Sequence, residues 1–207
     1  VFARLYALLT RHEGRAGVEP HRRELLAGLA GRVLEVGAGN GRNFAHYPRT
    51  VTEVVAVEPE PHLRRLALDA AAAAPVAVRV VEGAAEALPL ADGSVDAAVA
   101  SLVLCSVRDQ ERALLELRRV LRSGGELRFW EHVAAERELP RRAQRLLDHL
   151  WPHLAGGCHT GRDTVAAIEA AGFAVEHCRR FAFLPCPLAA AAAPHVLGRA
   201  RAVVCHG

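Results

Sequence analysis

Val33-Leu34-Glu35-Val36 runs straight into Gly37-Ala38-Gly39-Asn40-Gly41. An aliphatic strand that ends in glycines at alternate positions leaves few folds open. Glycine lets the backbone turn sharply and removes the Cβ that would block a ligand at the strand's carboxyl end. The spacing also bears on the ligand. A dinucleotide turn wants GxGxxG, which needs glycine at 42, where Arg42 stands. Here the pattern is GxGxG, with Glu35 two residues before the first glycine. A diphosphate calls for a free helix N-terminus, whereas an amino acid joined to a nucleoside does not. Glu58 closes the next strand, where a carboxylate can accept hydrogen bonds from both ribose hydroxyls.

Beyond this turn the chain alternates strands and helices. Strands are predicted at Arg32–Val36, Glu53–Glu58, Val76–Glu82, Val95–Ser101 and Glu126–His132, with helices at Pro61–Ala74 and Arg108–Leu121. Ser123-Gly124-Gly125 is read as the stop of the second helix. Such alternation implies βαβ units and a largely parallel sheet covered on both faces. After His132 the pattern predicts helices at Leu139–Leu150 and Asp163–Ala171, a Gly-rich turn at Gly156-Gly157-Cys158-His159, and strands at Phe173–Phe181 and His195–Val204.

With 207 residues and no linker-like division, one domain is expected, its first 30 residues forming a helical cap. The net charge of +3 is spread along the chain, and every basic residue is arginine, so no basic arm for nucleic acid is expected. No apolar run reaches the roughly 18 residues of a membrane span. The five cysteines are odd in number and lack CxxC spacing. That disfavours a disulfide framework or a cysteine-rich zinc site and suits a reducing cytoplasm. The Cys158-His159 pair alone is poor evidence for a metal, so none is expected.

Several segments together resemble the class I S-adenosylmethionine-dependent methyltransferases: the glycine turn, Gly83-Ala84-Ala85-Glu86-Ala87-Leu88-Pro89-Leu90, Asp92-Gly93-Ser94-Val95-Asp96 and Arg119-Val120-Leu121-Arg122-Ser123-Gly124-Gly125. Leu104-Cys105-Ser106-Val107, Glu131-His132-Val133, Gly157-Cys158-His159 and Pro194-His195-Val196 are similar to the branch that includes the thiol S-methyltransferases of animals. The resemblance implies an α/β fold: a Rossmann-like, seven-stranded, mostly parallel sheet with helices on both faces and the last strand antiparallel. It implies S-adenosylmethionine as cofactor and S-adenosylhomocysteine as product. The implied cofactor contacts are Glu35, Gly37, Ala38, Gly39, Gly41, Asn43, Glu58, Pro59, Ala84, Ala85, Glu86 and Leu102. Where many relatives carry Asp to hold the adenine amino group, this chain has Ala84. The animal members carry an N-terminal hydrophobic anchor, and no counterpart to it is expected in this chain.

Methyl transfer from a sulfonium mainly requires alignment of nucleophile, methyl and sulfur. A thiol acceptor must also be ionised, since the thiolate is the nucleophile and a free thiol has a pKa of about 8.5. His132, closing the fifth strand on the ligand edge, is the candidate base or electrostatic partner. Cys105, His159, Arg162 and His195 are the candidate substrate contacts. The expected partner is a small, fairly apolar molecule accepting methyl on sulfur. The alternatives are an oxygen, nitrogen or carbon acceptor such as a quinone or lipid, and a non-catalytic cofactor-binding module.

Overall fold

The computed structural model describes residues 17–184 and 187–203. Most of the expected N-terminal cap, together with Cys186 and Cys205, lies outside them. Strands β1 (Gly31–Val36), β2 (Val51–Val57), β3 (Val78–Val81), β4 (Val95–Ser101), β5 (Leu121–His132), β6 (Phe173–Ala182) and β7 (Pro194–Ala202) form one sheet in the order β3-β2-β1-β4-β5-β7-β6. The first five run parallel. The last, β7, is inserted antiparallel between β5 and β6. The expected Rossmann-like α/β architecture is therefore observed.

Two apolar layers cover the sheet. On one face Leu34, Ala98, Ala100, Leu127 and Phe129 pack against Ala113, Leu114 and Leu117 of α3 (Gln110–Val120) and Ile168 of α6 (Thr164–Ala170). On the other, Val33, Val54, Val99 and Trp130 pack against Leu25 and Leu26 of α1 (Val18–Leu26) and Ala67 of α2 (Pro61–Ala72). The alternation of the two sets along each strand is the period-2 placement of strand side chains. Helix starts follow ordinary capping chemistry. Glu60 accepts from Leu63 N at 2.6 Å and precedes Pro61, and Asp109 accepts from Arg112 N at 2.9 Å.

Two expectations need correction. Ser123-Gly124-Gly125 lies inside β5, which begins at Leu121; the register shifts there, with Leu121 opposite Val95 but Glu126 opposite Ala97. These residues form a bulge, because Gly124 takes φ 72° and a Cβ on Gly125 would stand 2.8 Å from the Arg122 carbonyl oxygen. The single helix expected at Leu139–Leu150 is two, α4 (Glu138–Leu147) and the short α5 (Trp151–Leu154), as Pro152 cannot continue the hydrogen bonding of α4. Among the described residues no helix is long and apolar enough to cross a membrane.

Candidate active site

Parallel strands bring the carboxyl ends of β1, β2, β4 and β5 to one edge, and the singled-out residues gather along it. Gly37, Gly39 and Gly41 have φ of 60°, 58° and 77°. A Cβ on Gly37 would come within 2.6 Å of the Val103 side chain, and one on Gly41 within 2.7 Å of Phe44. The turn therefore requires glycine sterically as well as conformationally.

Beneath the turn, the fully buried Glu35 accepts from Asn43 Nδ2 at 2.9 Å and from the Tyr47 hydroxyl at 2.7 Å. Asn43 in turn accepts from Arg22 of α1 at 2.7 Å. Glu35 and Asn43 thus tie β1 to the segment after the glycine turn and to α1. Burial raises the Glu35 carboxyl to about 7, against the lowering effect of its hydrogen bonds. A carboxyl whose folded pKa is raised stabilises the fold fully below its unfolded pKa, and that contribution is lost as pH climbs through about 4.5 to 7. Thermal melts from pH 5 to 8 are expected to show a shallower alkaline decline in Glu35→Gln than in the natural chain.

Glu58 caps the end of β2. One oxygen accepts from Gly39 N at 2.8 Å and the other from Glu60 N at 2.9 Å, tying the glycine turn to the second strand. Each carboxylate oxygen retains a further acceptor site. Pro59 follows, its carbonyl accepting from Arg64 at 2.9 Å. Ala38 packs into the core on the α1 side. The segment after β3 behaves differently from the rest. Ala84 bridges to Ala87, Ala85 is buried in the core, and the Glu86 carboxylate accepts from the amides of Arg108 and Asp109 at 3.0 and 3.4 Å. Glu86 therefore fastens this loop to the start of α3.

At the end of β4, Leu102 is the one described non-glycine residue with positive φ, at 61°. Such a conformation costs on the order of 1 kcal/mol and marks a tightly determined turn. The turn aims the amides of Val103, Leu104 and Cys105 at the carboxylate of Glu131, at 3.0, 3.0 and 3.1 Å. Glu131 is fully buried, and no role for it was expected beyond its place in the Glu-His-Val segment. Burial raises its pKa, while the three amides pull the other way. A glutamate inside the apolar run Phe129–Val133 is the sequence signal that could have identified it.

The Gly156–His159 turn is docked on the same loop. His159 N donates to Cys105 O at 2.8 Å, and a Cβ on Gly157 would meet Ser106 O at 2.8 Å. Asp148 holds the turn's far side through Thr160 N and Gly161 N at 2.8 and 2.9 Å. Arg162 donates to Leu104 O and Val107 O at 2.7 and 2.8 Å, so its guanidinium braces the loop. Burial, then the nearby Arg162, lowers the His159 pKa.

These contacts bring Cys105 and Cys158 to the ring of His132. Its Nδ1 lies 3.5 Å from Cys105 Sγ and 3.4 Å from Cys158 Sγ, and the sulfurs are 3.8 Å apart. Burial lowers the His132 pKa, but the Cys105 sulfur and the Glu131 carboxylate outweigh it, and the net shift is upward. The Cys158 sulfur, then burial, pushes the Cys105 thiol well above its ordinary range, which argues against Cys105 as a nucleophile.

Beyond His132 the wall is aromatic. Its ring lies 4.5 Å from that of His195, which neighbours Phe181 at 5.6 Å and Trp130 at 6.0 Å. Burial, then His132, lowers His195 to about 4, so it is neutral near pH 7, with Nδ1–H donating to Ala193 O at 2.8 Å. His21 Nδ1, Ser101 Oγ and Trp130 Nε1 are buried here with no hydrogen-bond partner among the described residues. Orphaned polar atoms at a ligand-binding edge fit a site that receives a polar ligand.

Residues 34–129 match the protein family described as a methyltransferase domain. Human thiol S-methyltransferase TMT1B is 36% identical over 96% of this chain and 85% of its own length. Human thiol S-methyltransferase TMT1A is 42% identical over 71% of this chain and 62% of its own. The crystal structure of a SAM-dependent methyltransferase from Thermotoga maritima, a possible histamine N-methyltransferase, superposes with a TM-score of 0.70 at 25% identity, covering 97% of each chain.

Proposed function

Since this chain belongs to the class I S-adenosylmethionine-dependent methyltransferases, we propose that it methylates the sulfur of a small, fairly apolar thiol. S-adenosylmethionine supplies a methyl group on a sulfonium that departs as a neutral thioether. The residues on the sheet edge fit that cofactor: a turn free of Cβ atoms at Gly37 and Gly41, a carboxylate at Glu58, and the unpartnered Ser101 hydroxyl.

In this reading Glu58 accepts from the ribose hydroxyls while Gly37–Gly41 leave room for the amino-acid end. Glu35 and Asn43 hold the turn rigid, and Leu102 with Ala84, Ala85 and Glu86 shapes the wall around the nucleoside. The chain is read as a single methyltransferase domain, and most of its expected N-terminal cap lies outside the described residues. Glu58→Ala is expected to weaken S-adenosylhomocysteine binding by about 1.5–3 kcal/mol, roughly 10- to 150-fold, in calorimetry.

The observation that carries the thiol assignment is the His132 ring, set at the end of β5 between two sulfurs and against an aromatic wall. An imidazole there secures a thiolate, by taking its proton or by facing its charge. The aromatic wall suits an apolar body better than a charged one. The similar human proteins are named for the same reaction. A reducing, cytoplasmic setting agrees with three unpaired cysteines among the described residues.

The test is a panel of small thiols, phenols, amines and quinones, read as S-adenosylhomocysteine formed and as product mass. Thiols are expected to be methylated fastest. Rapid methylation of phenols or amines with inert thiols would move the acceptor away from sulfur.

A further inference from the structure

We propose that Cys105, His132 and Cys158 form a binding site for a single zinc-class metal ion whose open fourth position takes the acceptor thiol. The three donor atoms form a nearly equilateral triangle with edges of 3.4, 3.5 and 3.8 Å. Tetrahedral zinc, with Zn–S of about 2.3 Å and Zn–N of about 2.0–2.1 Å, needs edges of about 3.8 Å between sulfurs and about 3.6 Å between sulfur and nitrogen. The observed triangle is within about 0.2 Å of that requirement, which is the tolerance expected of a real site.

Ligand type and charge agree with the geometry. Two thiolates and one imidazole select zinc over the hard oxygen-loving cations. Two thiolates also cancel a divalent charge, so the loaded centre is neutral. That matters where Cys105 and Cys158 are only 1% and 6% exposed. The same ion supplies what the empty cluster lacks. One ring nitrogen has a single proton or lone pair and cannot bond both sulfurs, whereas an ion binds all three donors at once.

The site is also held from outside. Glu131 fixes the Cys105 amide, Cys105 O fixes the turn that carries Cys158, and His132 closes β5 opposite His195. Each ligand comes from a different element, and each is braced by contacts that do not involve the ligand atom. Among the described residues the group contains no fourth ligand side chain. Three protein ligands with one position left open is the arrangement of catalytic zinc.

The role given to the fourth position rests on the thiol reading above. With the ion bound, the acceptor binds as thiolate and releases its S–H proton to solvent, so His132 acts by holding the cation that faces the thiolate and takes no proton itself. The new S–CH3 bond forms as the sulfonium C–S bond breaks, and that bond's electron pair stays on the sulfur of S-adenosylhomocysteine.

The test uses the full chain, loaded with Zn2+ under reducing conditions and desalted, with metal counted by mass spectrometry. About one ion per chain is expected in the natural chain and in Cys178→Ser, and almost none in Cys158→Ser. Co2+ in place of Zn2+ is expected to give sulfur-to-cobalt charge-transfer absorption, and its ligand-field bands should shift when a small thiol is added with S-adenosylhomocysteine. If Cys158→Ser does not fold, the cobalt spectra of the natural chain and of Cys105→Ser decide. No retained metal, cobalt bound without the sulfur band, or full metal content in Cys158→Ser would overturn the site. Cobalt bands indifferent to the thiol would overturn its open position. A metal-free chain that methylates thiols at full rate removes this proposal and leaves the thiol reading intact. A metal-loaded chain inert towards every thiol does the reverse.

Discussion

His132→Ala is expected to lower thiol methylation at neutral pH by about 10²–10⁴-fold while S-adenosylhomocysteine binds nearly as before. The ring closes β5 and touches two sulfurs, whereas the glycine turn and Glu58 belong to β1 and β2. Removing it therefore acts on the acceptor and spares the cofactor. The loss should shrink as pH rises past about 8.5, because a free acceptor thiol then ionises without help. His132→Asn, which keeps a hydrogen-bonding group without a base, separates proton transfer from orientation. Paired measurements of initial rate and calorimetric affinity across pH 6.5–9.5 check all three points. Normal turnover in His132→Ala at neutral pH would leave alignment alone as the source of rate.

Glu131→Ala is expected to cost about 2–6 kcal/mol of stability, since the buried amides of Leu104 and Cys105 lose their acceptor and each unpaired group costs about 1–3 kcal/mol. For a domain of this size that lowers the melting temperature by roughly 4–24 °C. Glu131→Gln keeps one accepting oxygen and should recover part of the loss. Glu131 does not carry the chemistry in this picture. It holds the strained Leu102 turn and the backbone of Cys105, so a folded variant should lose acceptor reactivity out of proportion to cofactor affinity. Calorimetric melting beside single-turnover rates distinguishes this from a purely structural role.

What could be read without coordinates was whatever depends on neighbours in sequence. Val33–Gly41 announces a strand and a Cβ-free turn because both properties belong to consecutive residues. Glu58 is legible because strand ends are marked by the same hydrophobic pattern. The Ser123-Gly124-Gly125 bulge was not, since glycines that break a helix and glycines that kink a strand look alike until the partner strand is known. Glu35 and Asn43 are expected cofactor contacts on the resemblance, and what the sequence does not announce is their bonding to Tyr47, Arg22 and each other. Those bonds join residues 8, 12 and 21 positions apart, so no local pattern announces them. The cysteine–histidine triangle was invisible for a plainer reason. Its members stand 26 and 27 residues apart on three elements, with none of the short spacings by which metal motifs are recognised.

The insertion of β7 makes that strand a keystone. Among the described residues, strand β6 pairs with β7 and with no other strand, and β5 has an open edge until β7 docks on it. During synthesis, β1 to β5 can assemble as soon as they emerge, since their pairing needs nothing later in the chain. Strand β6 must wait unpaired for a segment made after it. His132 likewise meets His195 only when that last strand closes. A ribosome-bound chain halted before residue 194 would therefore hold the glycine turn but not the finished acceptor wall, and maturation of the two halves of the site would be separated in time.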